Sequence, residues 1–310
     1  MRIVFFGTPE LAVPSLEVLA AHHDVCAVVC QPDKPQGRSK ELVVPPVKEC
    51  ALRLGIPVNQ PVRLNDGAFE GWLRAQAPEV CVLVAYGRIL KQPILDVPKH
   101  GFLNMHPSLL PRHRGPSPIQ TSILEGDTET GITIMRLDAG TDSGDILLQE
   151  RMAIAPDDST ASLSGRVAKR GAVLLGKSVG MLESGAVTYV PQDHSKATHT
   201  RMYAKEDGAI RWNSPARELH LLVRAANPWP VAYCNFRGEL IRVHAARSTD
   251  EAHSLTPGTV LRTETDAILV GCGQGALALT VLQAPGRKPL TAAEFLRGRT
   301  VRAGDRFEDA

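Results

Sequence analysis

Three short apolar runs that do not alternate, Arg2 to Phe6, Val25 to Cys30 and Val80 to Val84, constrain what this chain can fold into more than any other feature. A strand with one wet face alternates apolar and polar residues, so strands that are apolar throughout must be covered on both faces. Between these runs lie stretches with helical spacing, Glu10 to Ala21, Val47 to Leu54 and Asp66 to Gln76, and a shorter strand-like Val58 to Gln60. Strand and helix in alternation predict an α/β domain with a mostly parallel sheet. A further strand, Phe102 to His106, leads into a proline-rich loop that a helix leaves over Ile119 to Leu124. Residues Gly131 to Leu137 and Asp145 to Arg151 alternate and predict an antiparallel pair, and Leu163 to Leu182 has the spacing of a long closing helix.

The character of the chain changes after that helix. Thr188 to His199 is polar, with one proline, two histidines and no hydrophobic period, and reads as a linker. A helix over Leu219 to Ala226 and five short apolar runs (Val231 to Phe236, Glu239 to Ala246, Gly258 to Leu261, Ala267 to Val270, Leu277 to Gln283) then predict a small β-barrel. A length of 310 residues exceeds what one hydrophobic core usually organises, which fits two domains, residues 1–187 and 207–310, joined by 188–206. The net charge of +2 does not by itself point to nucleic acid, but residues 201–310 carry 15 Lys+Arg against 12 Asp+Glu. The six cysteines form no C-x-x-C pair, which argues against a structural zinc or disulfide framework and fits a reducing cytoplasm. The short apolar N-terminus ends at Gly7 rather than at a cleavage site, and no run approaches the roughly 20 apolar residues of a membrane span.

The densest concentration of reactive side chains is Asn104-Met105-His106-Pro107-Ser108-Leu109-Leu110-Pro111-Arg112-His113-Arg114-Gly115. It lies at the carboxyl end of a predicted strand, where open α/β sheets place their ligand crevice. Asn104 and His106 are two apart, so a strand points both side chains to one face. Asp142, in the Gly-rich turn Asp138 to Gly144, is a carboxylate suited to orienting an imidazole. Taken singly, each of these residues has a structural reading, as strand-end histidine or turn cap. No Ser or Cys occupies a nucleophile elbow and no cluster has metal-ligand spacing, so the trio suits direct transfer: an amide donating to an oxyanion and an imidazole handling protons. Gly7-Thr8-Pro9 lacks the G-x-G-x-x-G of dinucleotide sites and reads as a tight turn bordering the crevice. The loop Lys34 to Lys40 carries Lys34, Arg38 and Lys40, and a basic track could run through Arg211, Arg217, Arg224, Arg237, Arg242, Arg287 and Lys288. Trp212 and Trp229, beside prolines and apolar runs, read as core or interdomain anchors.

Asn104 to Gly115 together with Asp142 resembles the folate-dependent formyltransferase superfamily. Within it, the branch that acts on methionyl-tRNA is similar along nearly the whole chain: Phe6-Gly7-Thr8-Pro9, Gln31-Pro32-Asp33, Ala85-Tyr86-Gly87, Pro111-Arg112-x-Arg114-Gly115, Thr130 to Met135 and Asn227-Pro228-Trp229-Pro230. The His106-Pro107-Ser108-Leu109-Leu110-Pro111 run is also the pattern of glycinamide ribonucleotide formyltransferases and formyltetrahydrofolate dehydrogenases. The former lack a second domain and the latter need a far longer chain. The resemblance implies a Rossmann-like catalytic domain followed by an OB-type β-barrel, 10-formyltetrahydrofolate as donor, methionyl initiator tRNA as acceptor, and a cytoplasmic monomer without metal. It implies that Asn104, His106 and Asp142 are catalytic, that Ser108, Leu109, Leu110, Pro111, Arg88, Ile89 and Leu90 border the folate, and that Arg38, Lys40 and Lys34 meet the tRNA. Two other readings share the same residues. One is a formyltransferase for a nucleotide-linked amino sugar; the other is an RNA-binding protein that has lost catalysis.

Overall fold

Ile3, Val4, Phe5 and Phe6 are all fully buried, as covering on both faces requires. They belong to β1 (Arg2–Gly7) in a computed structural model that describes residues 1–36, 41–64 and 66–310. The strands that follow are β2 (Asp24–Val29), the hairpin β3 (Lys34–Gln36) and β4 (Glu41–Val43), β5 (Val58–Asn59), β6 (Val80–Val84), β7 (Phe102–His106), β8 (Glu129–Arg136) and β9 (Ile146–Ala153). Their helices are α1 (Val13–His22), α2 (Pro46–Arg53), α3 (Ala68–Ala75), α4 (Gln92–Leu95), α5 (Pro118–Leu124) and α6 (Thr160–Ser184).

The main sheet runs β5-β2-β1-β6-β7-β8-β9. The first five are parallel, β8 adds antiparallel to β7, and β9 antiparallel to β8. The chain winds outward from β1 through β2 to β5, then returns to lay β6 and β7 on the other side. Open α/β sheets of this Rossmann-like kind place their ligand crevice at such a reversal, here beyond the carboxyl ends of β1 and β6. Gly7 ends β1 there, and an added Cβ would lie 2.8 Å from Phe5 Cε1 and 2.9 Å from Ala12 Cβ, so only glycine lets the following helix start so close. Beneath the crevice Phe6 packs against Tyr86, Phe102 and Phe69, with ring centroids 5.5, 5.2 and 6.1 Å apart. Burying each such ring stabilises by about 1.5–3 kcal/mol, so the floor of the crevice is rigid.

The described residues divide into two units. One comprises Met1–Pro118, Glu129–Ala153 and Ser164–Arg201; the other comprises Ile119–Thr128, Ile154–Leu163 and Met202–Ala310. Residues 188–201, expected as part of a linker, are bound into the first unit: Val190 exchanges backbone hydrogen bonds with Ile146, and Arg114 N–H donates to the Thr198 carbonyl.

The second unit contains α7 (Ala216–Ala225) and the antiparallel strands β10 (Ala232–Phe236), β11 (Glu239–Thr249), β12 (Val260–Thr263), β13 (Ile268–Gly271), β14 (Ala276–Gln283), β15 (Leu290–Thr291) and β16 (Phe307–Glu308), with α8 (Ala292–Gly298). Their order is β12-β13-β14-β11-β10-β16, with β15 on β14. The sheet curls into a half-barrel whose outer segments meet: Val260 N–H donates to the Asp305 carbonyl and Phe307 N–H to that of Gly258. Trp212, Phe236 and Phe307 fill its core. Trp229, expected as an anchor, is instead 54% exposed. Among the described residues no helix is long and apolar enough to cross a membrane.

Candidate active site

β7 carries Asn104 and His106 into the sheet between β6 and β8, with Asn104 opposite Leu83 and Met135, and His106 opposite Thr133. Both are buried, at 5% and 4% exposure. The Asn104 side-chain amide nevertheless makes no hydrogen bond among the described residues. Its atoms are not among the fully enclosed unpaired polar atoms of the described residues, so the amide keeps contact with solvent and is open to a ligand.

His106 lies between two acceptors. Its Nε2 is 2.9 Å from the His113 carbonyl. A carbonyl only accepts, so Nε2 carries the proton and donates. Nδ1 faces Asp142 Oδ2 at 3.5 Å. A neutral ring in this tautomer therefore keeps the lone pair of Nδ1 on the carboxylate side, and a proton taken up there would be stabilised by Asp142. Burial pushes His106 below its ordinary value of 6.5, while the Asp142 carboxylate and the His113 carbonyl pull it back up.

The loop after β7 is tied by hydrogen bonds that the sequence alone did not reveal. Asp142 Oδ2 accepts from Gly115 N–H at 2.8 Å. Thr133 Oγ1 donates to the Ser108 carbonyl at 2.7 Å and accepts from Leu110 N–H at 3.2 Å. Gln149 Nε2 donates to the Leu110 carbonyl at 3.0 Å, and Ser108 Oγ to that of Arg112 at 2.7 Å. Asp142 and His113 have φ of +49° and +59°, a left-handed backbone that non-glycine residues adopt at a cost, so both turns are held by their surroundings.

The residues singled out by sequence do not all converge. Asn104, His106, Asp142 and the loop Ser108 to Pro111 form one neighbourhood. Arg88 and Ile89 line an open groove of about 680 Å³ with Val62, Arg63, Leu64, Asp66 and Gly87, whereas Leu90 is buried in the hydrophobic cluster of Phe6. Lys34 is exposed in β3, its Nζ donating to Gln31 Oε1 at 2.7 Å, while Arg38 and Lys40 lie outside the described residues. Gln192 was not foreseen. Its amide reaches Arg114 on one side and the Asp142 turn on the other, and a buried glutamine in a stretch without periodicity leaves no mark in a sequence.

A Rossmann-like sheet that ends in a buried Asn and His beside a half-buried Asp, with no nucleophile positioned for a covalent intermediate among the described residues, has the make-up of a group-transfer site. The formyl transferase family matches residues 1–179, and the C-terminal domain of formyl transferases matches residues 203–300. The chain belongs to the formyl transferase family. It is 46% identical over 303 residues to the methionyl-tRNA formyltransferase of Myxococcus xanthus, covering 98% of this chain and 96% of that one. The Sorangium cellulosum methionyl-tRNA formyltransferase is 42% identical over 98% of both chains. Among solved structures, the N-formyltransferase of Helicobacter canadensis, in complex with folinic acid and dTDP-3-aminofucose, shares the fold with a TM-score of 0.66 at 19% identity, over 92% of this chain and 99% of that one.

Proposed function

We propose that this protein transfers the formyl group of 10-formyltetrahydrofolate to the α-amino group of methionyl initiator tRNA, acting as a cytoplasmic monomer without metal. The observation that carries this reading is similarity along almost the entire chain to enzymes named for that reaction, at 41–46% identity. Residues 1–187 supply the chemistry in this reading, and residues 207–310, read as an OB-type barrel, supply RNA affinity.

The groove beside Gly87, Arg88 and Ile89 suits a flat ring system: apolar Val62, Leu64 and Ile89 flank it, and Arg63, Arg88 and Asp66 offer polar partners at its edge. In this reading the ligand extends from that groove to the loop Ser108 to Pro111, and Leu90 supports it from the hydrophobic cluster beneath. The donor supplies an activated one-carbon unit. Asn104, whose amide has no partner among the described residues, donates its N–H to the formyl oxygen as negative charge develops there. His106, neutral because it is buried, takes a proton from the attacking amine, Asp142 stabilises the charged ring, and the bond between the formyl carbon and folate N10 breaks as N10 leaves with a proton. Lys34, Arg38 and Lys40 meet the phosphates of the acceptor end.

The test is formylation by purified protein with 10-formyltetrahydrofolate and three parallel acceptors: methionyl initiator tRNA, an amino-sugar nucleotide, and water. Formyl-methionyl-tRNA as sole product is expected. Product on the sugar would replace the acceptor and the role of the basic loop, and tight tRNA binding without turnover would favour a binding protein. Arg38→Ala is expected to lower kcat/KM for tRNA; unchanged kinetics at low tRNA would remove that residue from the interface.

A further inference from the structure

The 188–201 segment does more than leave the catalytic unit. It returns Gln192 to a position 5% exposed, with both ends of its amide engaged. Oε1 accepts from Arg114 Nε at 3.1 Å and Nη2 at 2.7 Å. Nε2 donates to the backbone carbonyl of Asp142 at 2.9 Å and to that of Gly144 at 2.7 Å. An amide has two lone pairs and two hydrogens, so its capacity is filled. Its orientation cannot reverse, because guanidinium only donates and carbonyls only accept. Arg114 is itself 5% exposed and has no carboxylate partner among the described residues, its remaining contact being His194 Nδ1 at 3.1 Å.

Asp142 sits in a left-handed backbone, so something must hold its turn. The Gly115 amide grips its carboxylate, and Gln192 grips the main chain at Asp142 and at Gly144. Gly144 passes so close to β8 that an added Cβ would collide with the Arg136 carbonyl, so the turn packs tightly there. We infer that Gln192 is a positioning residue that sets the Asp142 carboxylate against His106 by clamping the backbone of the Asp142 turn, with Arg114 fixing which way its amide points. This rests on the site reading above, in which Asp142 acts on His106.

The test uses Gln192→Glu and Gln192→Ala in the full chain, with His106→Ala and Asp142→Ala in parallel. Gln192→Glu keeps an acceptor for buried Arg114, so it folds even where Gln192→Ala fails to, yet it has no hydrogens for the two carbonyls. A misplacement of about 1 Å is enough to cost about 100-fold, so kcat is expected to fall about 10- to 100-fold with KM for donor and tRNA within about 3-fold of wild type. The charged groups facing His106 are Asp142, His113 and Arg114, with His194 beyond Arg114. A carboxylate at 192 offsets Arg114, so the acidic limb of the kcat profile is expected to move to higher pH in Gln192→Glu. It is expected to move to lower pH in Gln192→Ala, where Asp142 is released. A purely structural glutamine would lower the folded fraction and leave kcat per folded molecule and the pH limb where they were; that result overturns the inference. If His106→Ala and Asp142→Ala retain turnover, the site reading itself falls. If they lose it while both Gln192 variants keep wild-type kcat and pH limb, only the role of Gln192 falls.

Discussion

Asn104 and His106 are neighbours on one strand face, and their surroundings ask different things of them. The Asn104 amide has no partner among the described residues and keeps contact with solvent, so removing it breaks no hydrogen bond of the fold. Asn104→Ala is therefore expected to change unfolding free energy by less than about 1 kcal/mol while lowering kcat by about 10²- to 10³-fold, the loss seen when one oxyanion donor is removed. Thermal melts and steady-state rates on one preparation check both halves, and strong destabilisation would mean that the amide has a structural partner. His106 makes its prediction through pH. Its folded value is held below 6.5 by burial, so the unfolded chain binds the proton more readily between the two values. Both the neutral base and the associated stability are then present above pH 6.5 and decline as pH falls through the folded value. The His106 ring is expected to titrate below pH 6.5 when followed by NMR, and titration above 6.5 would mean that Asp142 dominates over burial.

The elements that carry the site differ in how far they could be read from sequence. β1, β2 and β6 were legible because a parallel strand covered on both faces must be apolar throughout, and that pattern survives in a single chain. β3, α4, β15 and β16 were not, since elements of two to four residues are too short to show a period, and β5, equally short, was visible only by its place between two helical stretches. The Asn104, His106 and Asp142 trio was visible by spacing and turn chemistry. The ties that orient it (the His113 carbonyl, the Gly115 amide, Thr133, Gln149 and Gln192) join main chain to side chain across 7 to 50 residues, and such bonds impose no local pattern. α8 could have been found, because Thr291 and Glu294 form a reciprocal capping box. β8 also has a hidden requirement. At Gly131 an added Cβ would meet the Leu109 side chain and lie 2.5 Å from the Glu150 carbonyl of β9. Gly131→Ala must displace either the strand pair or the site loop, at about 1–3 kcal/mol. A lowered melting temperature together with lowered kcat is expected, and a drop in temperature alone would show that β9 gives way and the Leu109 loop does not.

Over the whole molecule the charge is nearly balanced at +2, so attraction for a polyanion must come from where charges sit and not from how many there are. In the second unit a groove of about 620 Å³ is lined by Arg287, Lys288, Arg299 and Phe295. Arg299 is paired with Glu239, but Arg287 and Lys288 make no ion pair among the described residues, so they can neutralise phosphate without first breaking a bond. Counterion release ties each phosphate contact to roughly 0.9 of a unit in the slope of log affinity against log salt on a duplex. Replacing Arg287 and Lys288 by alanine is therefore expected to raise the KM for methionyl-tRNA and to reduce its salt slope by about 2 units, with the KM for the folate donor unchanged. The pairing of the two measurements is what discriminates. A raised KM with an unchanged slope would mean the variant perturbs the half-barrel without touching phosphate, and an unchanged KM would move the RNA to another face of this unit.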